Sequence, residues 1–258
     1  MTNPRPAREI AVRALLQRER TAEFIEDLLA KELARQPVDP IDRGLIQELT
    51  YGATRHQATL DWLIARKTQG RTQKEALQIL LRLGLYQLFW LTRVPDHAAV
   101  HETVALAKSL GFGPQAGFVN AVLRGYLRER VATTQVLQDL RGQDPALACS
   151  HPSWLYERWQ QRWGRDRAMA LMEWNNQPPT TFARINRLRV EPVEAIQAWT
   201  TEGVRFEPVA VPWVPAGLIY RLTSHPAFAT MPSFRAGWFY VQDPQHPAGS
   251  GDFEPQTQ

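Results

Sequence analysis

The chain has 258 residues, 44% of them hydrophobic, which is enough for two modest packed domains or one large one. No run of about 18 apolar residues occurs, so no membrane-spanning helix is expected. A single cysteine, Cys149, excludes an internal disulfide framework and a cysteine-rich zinc site. The net charge of +4 is carried mostly by arginine, which binds phosphate in a bidentate manner, and it mildly favours an anionic partner. Because the N-terminus has no apolar signal core, we expect a cytoplasmic protein.

Residues 5 to about 130 show helical periodicity without any strand alternation, which predicts an all-α bundle. Thr21 is the expected N-cap of the second helix. Thr72 and Glu75 have the spacing of a capping box before the segment LQILLRLGLYQLFWL, which is apolar nearly all round and should be the central buried helix. A further helix should begin at an Asp96 cap and end at Gly111.

From about residue 144 the pattern changes to a mixture of helices and strands. Two short helices are followed by a strand in TTFARINRL, a helix in EPVEAIQAWTTEG that ends at Gly203, and strands in VRFEPVAV, GLIYRLT and GWFYV. This order is typical of a ferredoxin-like or RRM-like α+β unit. We therefore expect an α+β protein with a helical domain at 1–143, an RRM-like module at 144–241, and a segment TTQVLQDLRGQDP that connects them.

Three motifs could carry small-molecule or metal chemistry. The glycine-rich segment 111–117 follows a helix rather than a strand, so it predicts a helix linker rather than a nucleotide loop. His97 and His101 are four residues apart, as metal ligands on a helix are, but no third ligand is evident in the sequence, so capping or packing is expected. Cys149 is either a nucleophile with His151 nearby or a small apolar residue before a Ser150 cap.

The arginines of the second half indicate RNA. They recur at helical spacing beside Trp159 and Trp163 and again around the strand FARINRLR, and mixed arginine and aromatic surfaces suit phosphates and unpaired bases. The alternative is a solvated helix face over a tryptophan-containing core. The predicted RNA-binding residues, among which Asn186 could equally cap a turn, are Arg158, Arg162, Arg165, Arg184, Asn186 and Arg187.

Several long motifs resemble the bacterial ribosomal-RNA cytosine-C5 methyltransferases of the Sun family, whose front domain is similar to the antitermination factor NusB. These motifs are DRGLIQELTYGATRH, LLRLGLYQLFWLTRVPDHAAVHETVALAK, GFVNAVLRGYLR, SHPSWLYERWQQRWG, NNQPPTTFARIN and GWFYVQD. The resemblance implies a NusB-like bundle, an RRM-like module and then a Rossmann-like catalytic domain that uses S-adenosylmethionine and two cysteines. It also implies ribosomal RNA as the partner.

The motifs for that catalytic domain do not follow in this sequence. No glycine-rich cofactor loop comes after Asp243, and Cys149 matches neither catalytic cysteine, so no catalytic, cofactor-binding or metal-binding residue is expected in this chain. A stand-alone NusB-like module that binds RNA or protein in transcription antitermination is the alternative function.

The end of the chain departs from the family pattern. Residues 242–258 should be a disordered tail, because only Phe253 is large and apolar there. Codons for residues 245–258 can be chosen so that the same nucleotide string, read one nucleotide later, encodes an amphipathic helix like the one that follows QDP in the family. We therefore interpret the tail as a frameshift product. Trp238, Phe239 and Tyr240 are then expected to lose part of their cover.

Overall fold

The computed structural model describes residues 6–212 and 214–242, which form two compact units, Met1–Gln177 and Pro178–Gln258. The described part of the first unit is helical throughout, as the periodicity predicts. Its helices are α1 (Ala7–Arg20), α2 (Ile25–Ala34), α3 (Pro40–Arg55), α4 (Gln57–Thr68), α5 (Glu75–Trp90), α6 (Asp96–Ser109), α7 (Ala116–Arg128), α8 (Arg130–Gln143), α9 (Pro145–Ala148), α10 (Ser153–Trp163) and α11 (Arg165–Asn175).

Helix α5 is the central helix of the first unit, and eleven of its sixteen residues are buried. The buried charge of Arg82 is compensated, because its guanidinium donates to both carboxylate oxygens of Asp61 at 2.7 and 2.8 Å and to Glu19 at 2.6 Å. The expectation of a buried central helix is confirmed.

The expected helix caps are wrong at three places. Thr21 follows α1 and donates its hydroxyl to the carbonyl of Gln17. Helix α5 begins at Glu75 without a side-chain cap, and Asp96 is the first residue of α6 rather than its cap. Asp96 pairs with Arg130 instead, since a carboxylate binds a nearby guanidinium more strongly than an amide.

The segment expected as a connector is also different. Residues 130–143 form helix α8, and the short helix α9 follows it at once. Thr133 and Leu140, the buried residues of α8, are about two helical turns apart, so they lie on one face of the helix. The division between the two compact units comes later, at Gln177 and Pro178, so helices α10 and α11 belong to the helical unit.

The second unit is a four-stranded antiparallel sheet with helices, and the α+β fold class is confirmed. Its elements are β1 (Thr181–Ile185), α12 (Pro192–Thr201), β2 (Arg205–Pro208), β3 (Ile219–Ser224), α13 (Pro232–Arg235) and β4 (Phe239–Val241). The strand order β2-β3-β1-β4 is that of a ferredoxin-like sheet, with α12 crossing from β1 to β2. In the described residues nothing resembles a Rossmann-like domain.

One face of this sheet carries the core. Ala183 and Ile185 of β1 point to that face and pack with Trp199 of α12, which is fully buried against Phe239 at 5.1 Å between ring centroids. Phe239 is thus a core residue, and the expectation that it loses its cover is wrong. Tyr240, the next residue, is 53% exposed, because successive strand residues face opposite sides of a sheet.

The backbone of Gln242 donates to the carbonyl of Phe182 and so continues the pairing of β4 with β1. The rest of the predicted disordered tail, residues 243–258, lies outside the described residues. Across the part of the chain that the structure describes, no helix is both long enough and apolar enough to span a bilayer.

Candidate nucleic-acid interface

Helices α10 and α11 form a hairpin that is closed at Gly164, whose φ of +81° favours glycine. The hairpin packs on α9 through a small core of its own, made by Ala146, Cys149, Tyr156, Ala168 and Met172. The opposite faces of the two helices are consequently exposed to solvent and carry the charged residues.

Arg158 and Arg162 lie on the exposed face of α10, where the sequence places them. Trp154 is one helical turn before Arg158 on the same face, and its side chain is 62% exposed. Arg158 has no hydrogen-bond or ion-pair partner among the described residues, and the Arg162 guanidinium lies 5.5 Å from the centroid of the Trp163 ring. This stripe of one indole and two guanidinium groups can meet a base and phosphates.

Arg165 does not continue the stripe. Gly164 ends α10, so Arg165 begins α11, and its guanidinium donates to the carbonyl of Gly142 at the end of α8. A cation at that place stabilises the carbonyl groups that a helix end leaves without partners. The helical spacing of the three arginines in the sequence therefore does not correspond to one continuous surface.

Asn186 is buried in the turn that follows β1. Its amide nitrogen donates to the carbonyl of Gly237 at 3.0 Å, and its side-chain oxygen accepts from the backbone of Leu188 at 3.2 Å. These bonds shape the turn and place Arg187 on the surface, with no side-chain partner in the described part of the chain. Of the two roles considered for Asn186, the hydrogen bonds correspond to the turn-capping one.

Arg184 lies on the face of the sheet opposite the core. Its strand pairing puts it directly across from Tyr240 of β4 and, on the other side, from Ile219 of β3. Phe182, two residues earlier on β1, shares this face and lies across from Arg221. Arg221 is in turn paired with Glu207 of β2.

Cys149 is not placed as a nucleophile. Its side chain is buried, and burial, assisted by the charge of Glu173, raises the pKa of the thiol to about 11. The ring of His151 hydrogen-bonds through Nδ1 to the carbonyl oxygen of Cys149. Ser150 does not cap the helix that follows it, since its hydroxyl accepts from the backbone of Thr59 at 2.9 Å, in the first turn of α4.

The remaining motifs resolve into ordinary structure. The glycine-rich segment 111–117 runs from the link after α6 into the first turn of α7, and Gly111 adopts a φ of +85° where α6 ends. His97 and His101 are both exposed, and His101 contacts its neighbour Glu102. No group of three potential metal ligands comes together within the described residues.

Two aromatic residues on these surfaces were not identified as RNA contacts from the sequence. Trp154 precedes Arg158 by four residues, a spacing that a helical projection would have placed on one face. Tyr240 could be placed opposite the core from the alternation in GWFYV, but its position across from Arg184 depends on the strand order.

Two protein-family models match this chain in succession. Residues 5–128 match the NusB family, and residues 151–223 match the ferredoxin-like domain described as Methyltr_RsmF/B-like. The second match covers α10, α11 and the strands β1, β2 and most of β3, so it spans both arginine-bearing surfaces.

Curated relatives carry a common name. The probable ribosomal RNA small subunit methyltransferase B of Bacillus subtilis is 32% identical over 78% of this chain and 45% of its own length. The corresponding protein of Synechocystis is 34% identical over 92% of this chain and 53% of its own length. The chain thus spans about half the length of the curated relatives it matches.

Among solved structures, the crystal structure of PH0851 has the same fold, with a TM-score of 0.64 over 95% of this chain and 54% of that one, at 17% sequence identity. The second matched domain begins at residue 151, just before the last two helices of the first unit, and continues into the second unit. The chain therefore carries a NusB-family domain at residues 5–128, followed at residues 151–223 by a ferredoxin-like domain of the RsmF/B-like methyltransferase type.

Proposed function

We propose that this chain is the RNA-binding front portion of an S-adenosylmethionine-dependent ribosomal-RNA cytosine-C5 methyltransferase and acts in the cytoplasm. The observation that carries the proposal is the succession of a NusB-family domain and an RsmF/B-like ferredoxin-like domain. Curated relatives that align over 78% and 92% of this chain are named probable ribosomal RNA small subunit methyltransferase B.

The RNA contacts in this proposal are phosphate contacts. Arg158 and Arg162 are exposed along one helix face, and Arg184 and Arg187 are exposed on and after β1. None of the four has a carboxylate partner in the described residues, so their charges remain available to an anion. Arg165 contacts phosphate through the guanidinium N–H groups that do not bond to Gly142. Asn186 contributes indirectly, because its hydrogen bonds hold the turn that places Arg187 on the surface.

We further propose that these 258 residues do not transfer a methyl group by themselves. A thiolate is needed for attack on cytosine C6, and the single cysteine is buried with a thiol pKa of about 11. No S-adenosylmethionine site is assigned to them.

A stand-alone NusB-like module in transcription antitermination is the second candidate. The match of residues 5–128 to the NusB family favours it, but the ferredoxin-like domain that follows supports the first candidate. A downstream reading frame encoding a cofactor loop and catalytic cysteines would decide for the methyltransferase.

The phosphate contacts are tested by RNA affinity across a salt series. The parent chain is compared with the double variant Arg158→Ala, Arg162→Ala, using a fragment of small-subunit ribosomal RNA. Each phosphate contact releases counterions from the RNA, and the variant makes fewer such contacts. It should therefore bind more weakly, and the slope of log affinity against log salt should become shallower by about 0.7–0.9 per lost contact.

The matched control is Arg13→Ala. Arg13 lies on a helix surface as Arg158 does, but it is paired with Glu9 at 2.9 Å, so its loss should leave affinity and slope unchanged. If the double variant and the parent bind with equal affinity and slope, the face of α10 is only solvated and does not contact RNA.

A further inference from the structure

The face of the ferredoxin-like sheet opposite its core carries an exposed, unpaired arginine with one aromatic residue on its own strand and another on the neighbouring strand. Arg184 is exposed on β1, Tyr240 lies directly across from it on β4, and Phe182 precedes it by two residues on the same face. Side chains directly opposite each other in a sheet have Cβ atoms about 4.5–5.5 Å apart. The side chain of Arg184 is therefore a direct neighbour of that of Tyr240, while Phe182 lies on the same side of the sheet along the strand of Arg184.

The other charges of this face do not compete for Arg184. Glu207 of β2 pairs with Arg221 of β3, at the far side of the sheet from β4. No carboxylate among the described residues pairs with Arg184. The net positive charge of the face is thus concentrated beside Tyr240.

Tyr240 is also unusual in its exposure. The aromatic residues of this unit that face the core, such as Phe239 and Trp199, are buried, whereas 53% of Tyr240 remains exposed. A large ring that keeps this much surface in water is available for a flat partner. The inner strand β3 turns Ile219, Arg221 and Thr223 to the same side. Ile219 is buried there and none of the three is aromatic, so the exposed aromatic surface lies on β1 and β4.

A ring next to a free guanidinium fits one chemical class, the unpaired nucleotide. A base stacks on an aromatic face irrespective of its sequence, and the phosphate that follows it meets the guanidinium. A base inside an A-form duplex is stacked on both faces. The major groove of the duplex is deep and narrow, so side chains do not reach the base there.

We infer that this face binds single-stranded RNA, with a nucleobase stacked on Tyr240 and its phosphate held by Arg184. The inference rests on the proposed function and adds the substrate class: an unpaired segment rather than a helix. Phe182, half-buried beside Arg184, provides the second apolar wall of the site.

The test compares two oligomers of equal charge on the full chain. A fluorescein-labelled single-stranded RNA octamer and an octamer of the same length with abasic positions are titrated with the parent chain and with the variants Tyr240→Ala, Tyr240→Phe and Tyr240→Trp. Because Tyr240 is exposed and outside the core, all three variants should fold, and circular dichroism checks this.

The parent should bind the base-bearing octamer more tightly than the abasic one, and Tyr240→Ala should lose about 5- to 100-fold of this affinity without weakening on the abasic octamer. Phenylalanine and tryptophan should retain the preference. Arg221→Ala is the control on the same face, since its charge is already paired with Glu207, and it should bind both octamers as the parent does.

An equal affinity of the parent for both octamers would overturn the inference, because no base would then be stacked on the exposed ring. A folded Tyr240→Ala variant that keeps the full preference would overturn it as well, while RNA binding itself stands. Absence of binding to any RNA by the parent would remove the proposed function and this inference together.

Discussion

His56 is the residue whose environment most alters its acid–base behaviour. It lies between α3 and α4, and its ring contacts Trp90 at 4.8 Å and Tyr86 at 5.9 Å between centroids. Its Nδ1 is buried without a hydrogen-bond partner among the described residues. Burial lowers the pKa of His56 to about 4, and the charges of Arg55 and His151 act in the same direction.

A histidine whose pKa is lowered by folding makes stability depend on pH in one direction. The folded state takes up the proton only below about pH 4, whereas the unfolded chain takes it up below about pH 6.5. Acidification from pH 7.5 to 4.5 should therefore remove about 2–3 kcal/mol of the free energy of unfolding through His56 alone. The measurement is urea unfolding at both pH values for the parent and for His56→Phe.

The variant keeps an aromatic ring and cannot titrate, so it should lose less stability between the two pH values than the parent. Comparing the pH-induced changes cancels any constant packing difference between phenylalanine and histidine. Equal losses in the two proteins would show that the ring of His56 is protonated in the folded state at the lower pH.

At the scale of helices, the contact of α3 with α5 depends on Gly52. A Cβ atom at this position would lie 2.0 Å from Cζ of Tyr86, far inside van der Waals contact. Tyr86 cannot easily move aside, because it is buried and its hydroxyl donates to Glu48. The two helices approach closely only because the facing residue has no side chain.

Gly52→Ala should consequently destabilise the protein by about 1–3 kcal/mol or more. Gly44 is the matched control, since it lies on the same helix and a Cβ atom added there would have nothing within 4 Å, so Gly44→Ala should stabilise by about 0.5–1 kcal/mol. Chemical denaturation of both variants measures the difference. A Gly52→Ala protein as stable as Gly44→Ala would mean that α3 and α5 separate at little cost.

At the scale of the whole molecule, each unit has a hydrophobic core of its own. The helical unit is packed around α5, and the sheet unit is packed around Trp199. The single cysteine, Cys149, lies in neither of these cores but in the separate small core of the α10–α11 hairpin, where burial raises the pKa of its thiol to about 11.

The corresponding prediction is that the 258-residue chain does not methylate RNA. Purified protein is incubated with labelled S-adenosylmethionine and unmodified small-subunit ribosomal RNA, and incorporation should equal that of a sample without protein. RNA binding by the same preparation is measured in parallel to show that the protein is folded. Methyl transfer above the blank would contradict the proposed inactivity of this chain.

Local pattern and order of elements could be predicted from the sequence in large part. The central helix α5, the linker at residues 111–117 and the four strands of the second unit follow from periodicity and glycine positions. The caps at Thr21 and Asp96 were wrong, because capping residues are equally able to bond elsewhere. Which partner they choose depends on what the fold brings near.

The sequence by itself determined that the chain has a helical bundle followed by an α+β unit, since hydrophobic periods of 3.6 and 2 residues are local properties of the chain. Tertiary structure alone decided how the candidate interface is composed. Helix α10 ends at Gly164, so Arg165 lies on the next helix and binds the end of α8. The order of the strands places Tyr240 across from Arg184. Both outcomes depend on contacts between residues more than twenty positions apart in the chain, which no local pattern encodes.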